Sequence, residues 1–226
     1  MIPLARRVAA EGLGTALLVA TVVCSGIAAQ RLSPGNVGLQ LLENSLATGA
    51  VLVALIVALQ PVSAAFNPVV TVIERIYGAV STTEAAASIA AQVLGGILGT
   101  IAANLMFNLS AVSISTHHRL NSGTFLGEVI ATLGLIVVIF GAVRGDRSDR
   151  VAYAVGAYIV GAYWFTSSTS FANPAVTVAR LFTNTFAGIA PASVVPYVAA
   201  QLLGGVLAIG VLAILHPAES KLETQS

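Results

Sequence analysis

Charge is what this sequence has least of. Only 8% of its 226 residues are Asp, Glu, Lys or Arg, whereas 57% are hydrophobic. A soluble domain carries about a quarter charged residues, so a water-facing surface is excluded and the outside of the fold must meet lipid. The charges present nearly cancel, 10 basic against 9 acidic, which leaves no electrostatic footprint for nucleic acid. Cysteine is almost absent. Cys24 stands alone, which excludes an internal disulfide and a cysteine zinc cluster. No phosphate-binding glycine loop, zinc-helix motif or nucleophile–base pair marks an enzyme, and nothing calls for a cofactor or a metal.

What is there is apolar length. A membrane-crossing helix needs about 20 mostly apolar residues, and six stretches qualify: 8–29, 39–60, 85–107, 124–143, 151–169 and 193–215. The first follows Arg6 and Arg7 and so imitates a signal peptide. Glu11 sits early in that run and further apolar runs follow, so it reads as the first span. Basic residues of short loops set orientation. With the N-terminus inside, the inner segments hold Arg6, Arg7, Arg75, Arg144, Arg147, Arg150 and Lys221, against Arg31, Arg119 and Arg180 outside. Both termini are therefore expected in the cytoplasm, with the chain in the cell (inner or plasma) membrane. Segments 67–78 and 173–184 are too short to cross. Each opens with Asn-Pro, and proline suits the first turn of a helix, so both read as re-entrant half-helices. Irregular backbone at membrane depth is tolerated only inside protein or along a cavity.

Three features recur in the same order. Glu11-Gly-Leu-Gly-Thr15 pairs with Glu128-Val-Ile-Ala-Thr132. Asn67-Pro-Val-Val-Thr-Val72 pairs with Asn173-Pro-Ala-Val-Thr-Val178, identical at five of six positions. Ala90–Leu98 pairs with Ala199–Leu207, identical at seven of nine. The chain thus divides into a first repeat, 1–116, and a second, 117–226, that includes a short polar tail, Glu219–Ser226. An odd number of spans per repeat turns the second repeat upside down. Inverted repeats place their site near the midplane, with broken helices pointing their N-termini inward. The expected fold is an all-α membrane protein of six transmembrane helices plus two re-entrant half-helices in an inverted three-span repeat.

The duplicated Asn-Pro motifs, Asn67-Pro68-Val69 and Asn173-Pro174-Ala175, with the Glu-x-x-Gly-Thr start and the Ala-Ala-Gln-Leu-Leu-Gly-Gly run at Ala199–Gly205, resemble the aquaporin and aquaglyceroporin family over residues 8–215. Either asparagine alone reads as a plain helix N-cap; as a pair in an inverted repeat they read as pore residues. The resemblance implies a passive channel for water and small uncharged solutes. It also implies exclusion of cations and protons at the paired motifs, and a homotetramer in the lipid bilayer. Glu11 and Glu128 would then accept hydrogen bonds from the re-entrant loops. Val69 departs from the family's alanine and is expected to add bulk near the constriction.

Carried over by position, the family's outer filter falls on Gly161 in the fifth span, on Ser170 and Val176 around the second motif, and on Thr48 or Ala47 in the second span. Val176 replaces the arginine usual there. All these side chains are small, so the resemblance implies a pore wider than a water-only one, suited to glycerol, urea or metalloid hydroxides. The Ser168–Arg180 run is similar to a bacterial branch associated with arsenic resistance, which points to arsenous acid. Arg180, four residues beyond Val176, reads as a surface or interhelix arginine, the other reading being that it reaches the outer vestibule in place of the arginine absent at Val176. His117 and His118 read as solvated loop residues, and Tyr158, Tyr163, Trp164 and Tyr197 as a source of interfacial anchors. The alternatives are a strictly water-conducting channel, a secondary transporter built on inverted repeats, and an anion or gas channel of similar architecture.

Overall fold

A computed structural model of the chain describes residues 2–216. The polar tail and Lys221 lie outside the described residues. Eight α-helices follow in order: α1 (Leu4–Leu32), α2 (Val37–Leu59), α3 (Pro68–Ile76), α4 (Thr82–Met106), α5 (Ser122–Arg144), α6 (Val151–Phe165), α7 (Pro174–Ala179) and α8 (Pro191–Leu215). Short 3₁₀ turns at Ser148–Arg150 and Arg180–Phe182 precede α6 and follow α7. Local chemistry sets several of the starts. Asn36 accepts from the Leu39 amide at 3.0 Å, Ser81 from Glu84 at 3.1 Å, and Asn121 forms a reciprocal cap with Thr124. Such side chains satisfy amides that the first helical turn leaves unpaired.

Helices α1, α2, α4, α5 and α8 are long and apolar enough to cross a membrane. The expected fifth span, 151–169, is helical only over Val151–Phe165, 15 residues. At 1.5 Å per residue this is roughly 22 Å, short of a hydrocarbon core of about 30 Å. Thr166 turns to extended backbone, and a buried loop containing Ser168, Ser170 and Phe171 leads on to Asn173. The loop is tolerable at that depth because protein groups pair its backbone, as described below.

The two halves pack alike. Helix α1 lies along α4 and beside α2, as α5 lies along α8 and beside α6, while α2 meets α6 between the halves. Each half-helix, α3 and α7, touches both α4 and α8. Small residues let the long helices approach closely, the packing preferred in lipid. A Cβ on Gly95 of α4 would collide with the Gly12 carbonyl of α1, and one on Gly204 of α8 would lie 2.5 Å from the Val129 carbonyl of α5. Leu13, Leu17, Leu94, Leu98, Val206 and Ile214 are exposed, as a lipid-facing surface requires. The centre is instead polar: Glu11, Gln92, Glu128 and Gln201 are fully buried.

The aromatic anchors divide. Trp164 is half exposed, but Tyr163 and Tyr197 are buried, and the Tyr197 hydroxyl donates to the Arg119 carbonyl at 3.3 Å. Tyr158 is half-buried and donates to the Ala131 carbonyl at 3.0 Å. His117 and His118 are exposed in the loop between α4 and α5.

Candidate functional site

The two Asn-Pro motifs meet. Asn67 caps α3 and Asn173 caps α7, and Pro68 and Pro174 occupy the first helical turn, where a missing N–H costs nothing. The Asn67 side-chain oxygen accepts from the Val69 amide at 2.9 Å; that of Asn173 accepts from Ala175 at 3.0 Å and Val176 at 3.3 Å. Each amide nitrogen then reaches across to the other repeat. Asn67 Nδ2 donates to the Ala172 carbonyl at 2.8 Å, and Asn173 Nδ2 donates to the Phe66 carbonyl at 2.7 Å. An amide group carries two N–H donors, so each asparagine keeps one for the space beside it. Phe66 and Ala172, the residues just before the motifs, both sit in the left-handed region at φ 48°. That conformation is uncommon outside glycine and turns each loop sharply into its helix.

Two buried carboxylates hold these turns. Glu11 accepts from Ser63 Oγ at 2.5 Å, from the Ala65 and Phe66 amides at 2.8 and 2.7 Å, and from Gln92 Nε2 at 2.8 Å. Glu128 accepts from the Phe171 and Ala172 amides at 2.8 and 2.9 Å, and from Gln201 Nε2 at 2.6 Å. Gln92 and Gln201 also donate to Thr71 and Thr177 at 2.9 and 2.8 Å. Each half thus ties its span, its re-entrant loop and its half-helix into one network. A buried carboxylate is costly unless hydrogen-bonded in this way.

Both asparagines line one cavity of about 270 Å³. It runs from Arg7, Gln60 and Ser148 at one end, past Asn67 and Asn173, to Tyr163, Val176 and Arg180 at the other. Thr48, Ser170 and Val176 line it, whereas Ala47 does not.

Gly161 is not where the sequence placed it. It is exposed, with open space around it, and is absent from the cavity wall. The face of α6 that lines the cavity is Val151, Val155, Ile159 and Tyr163, a stripe at i, i+4 spacing. Gly161, midway between Ile159 and Tyr163, points about half a turn away. Val69 does not add bulk to the constriction either. It is buried, does not line the cavity, and packs on α8, where a Cβ on Gly205 would lie 2.6 Å from its Cγ1. The missing side chain at Gly205 makes room for the extra bulk, which therefore does not narrow the constriction. Arg180 is not a surface residue. It is 4% exposed and lies in the cavity wall, with its guanidinium 3.4 Å from the Phe171 ring centroid.

Tyr163 and Phe171 are among the wall residues that motif matching missed. Spacing could have found Tyr163, which continues the apolar stripe of α6, just as it pointed to Arg180 at i+4 from Val176.

The comparisons with known proteins agree with this geometry. The model for the major intrinsic protein family matches residues 1–163 and 144–226. The aquaglyceroporin AqpS of Rhizobium meliloti (strain 1021) is 46% identical over 217 residues, 95% of this chain and 92% of that protein. The X-ray structure of the aquaglyceroporin from Plasmodium falciparum shares the fold, with a TM-score of 0.71 at 22% identity over 93% of this chain and 96% of that one. A buried pair of capping asparagines on opposed half-helices, together with these matches, makes the chain a member of the major intrinsic protein family.

Proposed function

We propose that this multi-pass membrane channel conducts water and small uncharged polyhydroxy solutes passively, with glycerol and arsenous acid as the solute class. The observation that carries the reading is the pair of Asn67 and Asn173 amides midway along one cavity, each cross-bonded to the opposite loop and each keeping a donor. A water or solute hydroxyl accepts from both amides and turns its own hydrogens outward, which interrupts a chain of proton-donating waters. Two helix N-termini facing one another add a positive potential there, roughly half a charge each, as is established for aquaporin-type pores. Thr48, Ser170 and Val176 would make one side of the outer constriction; small side chains there favour solutes larger than water. The similarity to an aquaglyceroporin points the same way.

The repeats 1–116 and 117–226 are read as the two inverted halves of the pore. The arginine bias of the loops supports cytoplasmic termini, and the exposed apolar surface suits a homotetramer with one pore per subunit. Glu11 and Glu128 are read as supports of the re-entrant loops rather than as a proton relay, because their oxygens are taken up by loop and glutamine donors.

A strictly water-conducting pore is the second reading, favoured by Tyr163 and Arg180, which bring bulk into the outer wall. Stopped-flow light scattering on proteoliposomes separates the two. Fast, non-saturating water, glycerol and arsenous acid flux is expected relative to empty vesicles. Fast water with no solute flux would establish the second reading instead.

A further inference from the structure

Valine at position 176 brings no positive charge to the outer wall of the cavity. Arg180 lies four residues on, and residues four apart share a face of a helix. Helical side chains also lean toward the N-terminus of their helix, over the preceding turn. The N-terminus of α7 is Asn173, at the middle of the cavity, so an arginine at the outer end of α7 leans back toward Val176. Both residues line the same wall.

The guanidinium is held without being used up. Its Nε donates to the Ala187 carbonyl, and its plane lies against the Phe171 ring. Among the described residues its terminal amino groups have no hydrogen-bond partner, and no carboxylate pairs with it. Arg119, on the same ring at 5.3 Å, is different. Its Nε and Nη2 donate to the Gly188 and Phe186 carbonyls at 2.6 and 2.8 Å, and it does not line the cavity. Arg119 ties down the loop after α7, whereas Arg180 keeps donors for the pore. Ser170 Oγ, buried in the same wall, also has no partner.

We propose that Arg180 is the specificity-determining charge of the outer constriction, reaching back one helical turn beside Val176. It repels cations, and with Ser170 it hydrogen-bonds the oxygens of neutral hydroxylated solutes. Charge and width are thereby separated: valine leaves the space, and the displaced arginine keeps the sign. This rests on the channel reading above.

The test compares wild type with Arg180→Leu, Arg180→Gln and Arg180→Lys in proteoliposomes, after thermal unfolding has identified the folded variants. Glycerol uptake and voltage-driven potassium and proton leak are read on the same vesicles. The two neutral variants are expected to raise the ratio of cation leak to glycerol flux at least about tenfold, equivalent to about 1.4 kcal/mol. Arg180→Lys is expected to hold the ratio near that of wild type. If Arg180→Leu does not fold, the glutamine and lysine pair decides alone. Neutral variants as tight as wild type would overturn the proposal, and so would a lysine variant that leaks as they do. A wild type that carries no glycerol would instead defeat the channel reading for this solute class.

Discussion

Val176 and Gly161 show what a single position contributes. Val176 stands in the cavity wall beside Asn173, so its size bears directly on what passes. Val176→Arg is expected to lower glycerol and arsenous acid flux more than water flux, by about tenfold in ratio, the scale at which small steric differences discriminate solutes. An unchanged ratio in paired stopped-flow traces would remove Val176 from the constriction. Gly161 makes the opposite case. A side chain there meets open space outside the pore, so Gly161→Ala is expected to leave every flux unaltered and stability within about 1 kcal/mol. Tyr163→Ala opens the wall and is expected to raise the glycerol-to-water ratio. Equal effects of the two substitutions would mean that the α6 stripe does not line the pore.

Elements meet where one lacks a side chain. The start of α3 carries a valine where the equivalent position in α7 has Ala175, and α8 answers with Gly205. The two form one packing unit, so their substitutions should couple. Gly205→Ala is expected to destabilise by about 1–3 kcal/mol through overpacking. Adding Val69→Ala is expected to recover most of that loss in thermal unfolding in detergent. Additive losses would show that the helices move apart rather than press on this pair. Gly95 has no such remedy, because its neighbour is the backbone of Gly12. The short α6 belongs to this scale as well: the loop after it can finish the crossing only because Glu128 takes the Phe171 and Ala172 amides.

For the whole molecule the decisive property is that the cavity is continuous past both asparagines. Glu11 and Glu128, behind the re-entrant loops, are committed to loop backbone and glutamine amides rather than to a coupling proton, and Glu74 is the carboxylate in the cavity wall among the described residues. Flux should therefore follow the solute gradient alone. Collapsing an imposed proton gradient with an uncoupler is expected to leave glycerol uptake unchanged and without saturation. Uptake that falls with the gradient would return the chain to the secondary transporters.

The sequence by itself determined the membrane setting, both half-helices, the repeat and the two asparagines. These depend on composition and on local chemistry: apolar length, Asn-Pro starts and short identical motifs at matching order. Glu11 and Glu128 were legible as buried charges that would need partners. What only the tertiary structure decided was which side chains face the pore. Facing depends on helix rotation, on where α6 stops, and on how far a long side chain reaches along its helix. A one-position shift on α2 separates Thr48 from Ala47, and a two-position shift on α6 exchanges Gly161 for Tyr163, because neighbouring helical residues differ by about 100°. Arg180 entered the pore by the same physics. Its backbone lies a turn beyond the motif, yet its side chain lies in the cavity wall with the guanidinium over the Phe171 ring.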